Sequence, residues 1–250
     1  MADLSVLPFM VAAGLATGLG ALPIFVLRRI SPRVRSMLLA FASGIMLAVV
    51  FFDLLPDAAA ALGPDTTGLV ASVVFGAATI LVLAKFANRL PVPKSFRARE
   101  SGRPGLGFLI FLALAIHNAP EGLATALGYA GGLTMAGHVL ALAIALQNIP
   151  EGLLVALPLL AETGSRRWAF GWALISGIVE PVSGVAALLF LTVTPSAIGA
   201  SYGFAAGAML AAVLSQILPQ GFAKVRPALA SLSLGAGLIA VVHAAVGLLA

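Results

Sequence analysis

Apolar residues run through this chain in long, nearly uncharged blocks, and the short segments between them carry almost all of the Lys and Arg. A helix needs about 20 apolar residues to cross a hydrocarbon core roughly 30 Å thick. On that measure the pattern predicts eight spans, near 4–27, 36–62, 67–88, 105–128, 134–160, 168–192, 198–220 and 228–249. The expected fold is therefore an all-α integral membrane protein, with residues 1–250 forming a single transmembrane domain. The second and fifth spans are long enough to tilt or overhang the bilayer.

Composition agrees with this class. The chain is 61% hydrophobic and 9% charged, with a mean hydropathy of +1.10, whereas soluble domains carry about 25% charged residues. It has no cysteine, which excludes disulfides and thiolate ligands. Asp3 precedes the first span and Arg28 and Arg29 follow it, the opposite of a cleavable signal pattern.

A net charge of +5 would suit a nucleic-acid surface, but the placement of the cations argues against one. Arg28, Arg29, Arg33 and Arg35 fall between spans one and two. Lys85, Arg89, Lys94, Arg97, Arg99 and Arg103 surround the next even-side loop. Arg166 and Arg167 lie between spans five and six, and Lys224 and Arg226 between seven and eight. All fall on one side of the membrane, which predicts a multi-pass protein of the cell (inner) membrane with both termini extracytoplasmic. The segment at about 89–104 is short, basic and rich in Pro and Gly, as expected of a solvated cytoplasmic linker.

Two repeats stand out. FASGIMLAVVFFDLLP at 41–56 matches FAAGAMLAAVLSQILP at 204–219 at nine of sixteen positions, and HNAPEG at 117–122 is echoed by QNIPEG at 147–152. Each pair falls on spans that cross in opposite directions. The layout reads as 3 + 2 + 3 spans with inverted repeats, a common construction of secondary transporters, whose sites sit near the midplane on helices interrupted by Pro or Gly.

The paired motifs define the chemistry. On a helix, His117 faces Glu121 and Gln147 faces Glu151, one turn apart, with Asn118 and Asn148 reaching the same carboxylates. Pro120 and Pro150 lack an N–H, which disturbs the ladder at Ile116 and Leu146. Glu180, beside another proline in SGIVEPVSG, adds a third mid-span acid. A carboxylate at that depth is costly unless paired or coordinated, yet every Lys and Arg lies toward one rim. The compensating charge is therefore mobile: metal ions, protons or both. Imidazole, carboxylate and amide together suit Zn²⁺, Fe²⁺, Mn²⁺, Co²⁺ or Cd²⁺ better than Cu⁺ or alkali ions. Two such ions are feasible if Glu121 and Glu151 bridge.

These residues resemble the ZIP (Zrt/Irt-like) family of divalent metal transporters across essentially the whole chain, and the QN form of the second motif resembles its prokaryotic GufA-like branch. The resemblance implies a binuclear site. His117, Glu121, Gln147 and Glu151 would form the first position, and Asn118, Asn148 and Glu180 would add to the shared glutamates at the second, with Met46 approaching the first. It further implies Zn²⁺ as transported substrate, alternating access by sliding of one bundle against another, metal movement toward the cytoplasm, and a homodimer. Gln147 and Asn148 depart from relatives that carry His and Asp there, so both positions have weaker ligands.

Other classes fit less well. An intramembrane metalloprotease needs His-Glu-x-x-His, and each motif here has at most one His. A proton or monovalent-cation channel leaves His117 and the amides unexplained. A metal-sensing membrane protein would have the same site without flux. Asp53, Asp57 and Asp65 lie toward the outer ends of spans two and three, where they could draw in cations or serve as interfacial acids. His138 and His243 have no partner that sequence names.

Overall fold

The computed structural model describes residues 4–87, 106–129, 132–190, 194–222 and 225–247. The expected linker at 89–104 lies outside the described residues. Eight helices long and apolar enough to cross a membrane are present among them, and the described residues contain no strand. They are α1 (Leu7–Ala21, continued by a 3₁₀ turn at Leu22–Phe25), α2 (Pro32–Leu62), α3 (Thr66–Ala87), α4 (Leu106–Gly128), α5 (Met135–Thr163), α6 (Arg166–Phe190), α7 (from Pro195 to Gly221) and α8 (Val225–Gly247). Their ends follow local chemistry. Ser31, Thr134 and Thr194 cap α2, α5 and α7 by accepting from the third backbone N–H onward, and Gly164, at φ 71°, closes α5 in the left-handed region.

The prolines act unevenly. Helices α4, α5 and α6 run unbroken through Pro120, Pro150, Pro158 and Pro181. By contrast α2 widens into a π turn at Val50–Leu54 and α7 does so at Val213–Ile217. Each turn ends two residues before a proline, Pro56 or Pro219. A proline ring clashes with the carbonyl four residues back, and widening to an i→i+5 bond relieves that clash; Leu55 N–H accordingly reaches Val50 O, and Leu218 N–H reaches Val213 O.

Both π turns occupy equivalent positions of the sixteen-residue repeat, whose offset is 204 − 41 = 163 residues. Packing follows the same register on α2 and α7, where Gly44 and Gly207 are also 163 apart, while their partners on α8 and α3 are shifted by one helical turn. Gly44 of α2 faces the Leu232 carbonyl of α8 while Gly235 of α8 faces that of Phe41; in the other half, Gly207 of α7 faces Val73 of α3 while Gly76 of α3 faces Phe204. Gly14 and Gly177, again 163 apart, face one another across α1 and α6. With no hydrophobic drive between helices in lipid, small residues set how closely backbones approach and how much dispersion they gain.

The close approaches sort the helices into two sets. Contacts of glycine with a neighbouring helix backbone join α1, α4, α5 and α6 to one another, and join α2, α3, α7 and α8 to one another. Between the sets, an apolar cleft of about 850 Å³ opens among α3, α7, α4 and α6, lined by Phe75 and Phe204 on one side and Ile116, Pro120 and Leu123 on the other, while α4 and α7 touch beside it, where Ile116 packs against the cluster that holds Ala208.

Gly152 tests this packing. A Cβ there would overlap the Thr17 carbonyl oxygen, which is main chain and cannot swing away. Gly152→Ala should therefore force α1 and α5 apart and cost about 1–3 kcal/mol. A fall in the melting temperature of the detergent-solubilised protein checks it, and an unchanged melting temperature would contradict the close approach.

Candidate metal centre

The glycine that ends each PEG motif explains how the site is assembled. Gly122 lets α4 lie against the Glu180 carbonyl of α6, and Gly152 lets α5 lie against the Thr17 carbonyl of α1. These crossings bring α1 and α6 to flank the central pair and place Glu180 beside the two motifs. Met46 enters from α2, its sulfur 3.3 Å from His117 Nε2.

His117, Asn118, Glu121, Gln147, Asn148, Glu151 and Glu180 are all buried, as is Met46. The sequence therefore brings its whole candidate set into one region. His117, Glu121 and Glu151 each offer a ligand atom within 4.8 Å of the others. His117 Nε2 lies 3.3 Å from Glu121 Oε1 across one helical turn. In a tetrahedral zinc site with bonds near 2.0–2.1 Å, neighbouring ligand atoms are about 3.3 Å apart. The His117 nitrogen thus stands at a spacing that a zinc-sized ion accepts from both the Met46 sulfur and the Glu121 oxygen. Gln147 Nε2 donates to the same Glu121 oxygen.

The second group is organised by its amides. Asn118 Nδ2 donates to the Ser176 carbonyl at 2.7 Å, and Asn148 Nδ2 donates to the Ala13 carbonyl at 2.8 Å and to Glu180 Oε1 at 2.6 Å. Because a backbone carbonyl only accepts, these bonds determine which amide atom is nitrogen. Both side chains therefore turn their oxygens away from α1 and α6. Ala13 and Ser176 are again 163 residues apart, so the two asparagines are anchored equivalently; this support by main-chain carbonyls was invisible in the motifs. Symmetry stops one turn further on, where Thr17 of α1 occupies the position equivalent to Glu180 of α6.

The unmet polar atoms define what the site lacks. His117 Nδ1, Asn118 Oδ1, Glu121 Oε2, Gln147 Oε1, Asn148 Oδ1, both Glu151 oxygens and Glu180 Oε2 are buried without a hydrogen-bond partner. All but His117 Nδ1 are oxygens that only accept or, as carboxylates, carry negative charge. Orphaned buried acceptors are rare in folded proteins because each costs about 1–3 kcal/mol, and more when charged. Among the described residues, the basic side chain that these carboxylates meet is the His117 imidazole, which is charged only when protonated. Several acceptors converging without donors make a cation seat. The chemistry of the set, one imidazole with carboxylate and amide oxygens, fits a borderline divalent ion.

The structure also assigns partners that sequence left unnamed. His243 Nε2 lies 2.7 Å from Asp53 Oδ1, and Tyr202 of α7 donates to the Leu127 carbonyl at 2.8 Å. His138 packs between Phe9 and Tyr129, with ring centroids 4.6 Å and 5.4 Å away. Helical spacing shows a residue's own face but not which distant helix lies against it.

Comparison with known proteins agrees with the motifs. The family model described as ZIP zinc transporter matches residues 93–243. A protein named zinc transporter ZupT from Corynebacterium glutamicum is 37% identical over 230 residues, covering 83% of this chain and 85% of that protein. Proteins of the same name from Salmonella heidelberg and Salmonella newport are each 38% identical over 218 residues, covering 83% of this chain and 82% of theirs. With its two PEG motifs meeting in one buried acceptor-rich site, the chain belongs to the ZIP family.

Proposed function

We propose that the protein carries divalent transition-metal ions, zinc foremost, across the cell membrane toward the cytoplasm through a binuclear site at the centre of the bundle, by alternating access. The observation that carries this function is the set of buried, unpartnered acceptors contributed by Glu121, Gln147, Asn148, Glu151 and Glu180. A permanent cation there would hold the site shut, whereas a diffusible one neutralises it and can leave. Amide and thioether ligands weaken the seat relative to a structural zinc site, which suits release. The ZIP family model and the ZupT relatives describe transporters, so the protein is a carrier and not an enzyme. His117 and Met46 weigh against a proton or alkali-cation channel, because neither is needed to bind those ions.

Alternating access draws support from the two helix sets. Tight backbone contacts lie within each set, and the apolar cleft lies between them, so one set can slide on the other without breaking glycine contacts. The correspondence between the halves supports an inverted repeat, which gives the inward and outward states similar energies. The weaker Gln147 and Asn148 ligands favour the GufA-like branch, and a homodimer follows from family resemblance.

Vesicles loaded with a metal-sensitive dye test transport directly. Saturable zinc uptake, with competition by Cd²⁺, Fe²⁺, Mn²⁺ or Co²⁺, is the expected result. Binding without flux would assign the protein to metal sensing, and flux of monovalent ions alone would assign it to a channel.

Orientation has its own test. Arg166 is tied to the Ile24 carbonyl through Nε at 2.9 Å, while Arg167 is exposed. A single cysteine at Arg167, in a chain that otherwise has none, should react with an impermeant thiol reagent only from the cytoplasmic side. Labelling of intact cells from outside would reverse the topology.

A further inference from the structure

Asp53 sits in the π turn of α2, and its carboxylate meets His243 of α8 although the two are 190 residues apart in sequence. The ring's other nitrogen, Nδ1, lies 2.9 Å from the Ile239 carbonyl. That carbonyl can only accept, so Nδ1 carries a proton and donates it. Nε2 of the neutral ring then has a lone pair directed at a carboxylate oxygen only 2.7 Å away. Two electron-rich atoms at that distance require a cation between them, a second ring proton in the closed pair or a metal ion that displaces that proton. Metal-binding histidines have the same arrangement, with the far nitrogen hydrogen-bonded to a carbonyl so that tautomer and ring orientation are held.

The surroundings favour an exchangeable cation over an inert clamp. Asp53 Oδ2 is buried without a partner. The Asp57 carboxyl follows one helical turn later, close enough to Asp53 for their charges to interact, with the Tyr202 hydroxyl beside it. Phe52 borders the imidazole, its ring centroid 6.3 Å away. The side chain of Asp53 is 13% exposed and that of His243 33% exposed, so the pair is partly sheltered and still reachable. Opening the 2.7 Å contact to the roughly 3.3 Å edge of a zinc site requires about half an ångström of side-chain movement.

We infer that Asp53 and His243, with Asp57 assisting through water, form a second, shallower divalent-metal site that feeds the central one. It stands on the side opposite the cationic loops, where α2 and α8 end. Asp53 lies seven residues from Met46 on the same helix, roughly 10 Å at 1.5 Å per residue, so an ion leaving the pair moves down α2 to the sulfur that touches His117. A site with only two direct protein ligands binds weakly, as a relay must. The arrangement is one-sided, because the π turn of α7 carries Gln216 where that of α2 carries Asp53. The inference rests on the transport function proposed above.

Anomalous scattering at the zinc edge from crystals of the full-length protein, grown with zinc, tests it together with vesicle uptake. Wild type should show zinc between Asp53 and His243 in addition to the central site. Asp53→Asn and His243→Gln should each lose that peak and keep the central one. Each should raise the half-saturating zinc concentration about tenfold, the scale of electrostatic capture at a charged cleft, with maximal uptake within twofold. A vacant outer pair beside an occupied central site would overturn the relay while leaving the transporter intact. Zinc at neither place would overturn both. If the variants only lower the melting temperature, with zinc count and half-saturation unchanged, Asp53 and His243 are an interhelical clamp and the relay is wrong.

Discussion

Replacing Glu151 by Gln should reduce zinc uptake to the level of protein-free vesicles while the purified protein stays folded. Both Glu151 oxygens are buried and unpartnered, so the carboxylate contributes nothing visible to the hydrogen-bonding of the fold. Glutamine keeps the volume and removes the charge, which avoids the cavity that alanine would leave. Without that charge, an ion beside His117 and Glu121 loses a ligand able to bridge two positions. Glu121→Gln should have the same effect on uptake, although its Oε1 also accepts from Gln147. Glu121→Ala and Glu151→Ala should abolish uptake as well, with some loss of stability. Melting temperature should separate the causes: near-wild-type for the Gln variants, since an uncompensated buried charge has gone. Near-normal uptake by either Gln variant would refute the shared-carboxylate centre.

Much of this site was legible because membrane depth magnifies a few signals. Glu121, Glu151 and Glu180 were visible as mid-span acids with no cation nearby, and the eight spans followed from helix length and hydropathy alone. The helix ends moved by a few residues where caps decided them, as at Ser31 before α2. What sequence could not show was contact between distant helices. The Asp53–His243 pair and the carbonyls of Ala13 and Ser176 depend on which faces α1, α2, α6 and α8 present to one another. The π turns were missed for a different reason. A Leu-Pro step late in a span announces a disturbed ladder, but Pro120 and Pro150 occur in unbroken helices while Pro56 and Pro219 follow π turns. Packing decides between those outcomes. The repeat at 41–56 and 204–219 was the one sequence feature that carried tertiary information, since its register runs on into the paired contacts of Gly14, Gly44, Gly177 and Gly207.

The two proposed metal positions should respond differently to substitution, because their ligands would differ. In the proposed arrangement the first would combine His117, Gln147, Met46 and the shared glutamates, and the second would add only the Asn118 and Asn148 oxygens and Glu180. Neutral amide oxygens leave the second position dependent on the Glu180 charge, whereas imidazole matches the first to zinc-like ions. Glu180→Gln should lower the bound zinc from two ions to one and reduce uptake partly. His117→Ala should damage the tighter position and reduce uptake further. Asn148→Asp has an outcome that follows from its hydrogen bonds. Asn148 Nδ2 donates to both the Ala13 carbonyl and Glu180 Oε1, and aspartate would turn an oxygen toward each of them. The metal-free variant should therefore be destabilised by two lost bonds and a new repulsion, about 1–3 kcal/mol in all. Zinc should relieve that repulsion, so the variant should show a larger rise in melting temperature on zinc addition than wild type, hold its second ion more tightly and release it more slowly. Calorimetric counts of bound zinc in wild type, Glu180→Gln and Asn148→Asp, alongside melting curves with and without metal, decide the matter. One ion in wild type at saturating zinc would remove the second position, and two ions in Glu180→Gln would remove Glu180 from it; either result leaves Glu180 as the hydrogen-bond acceptor that holds Asn148.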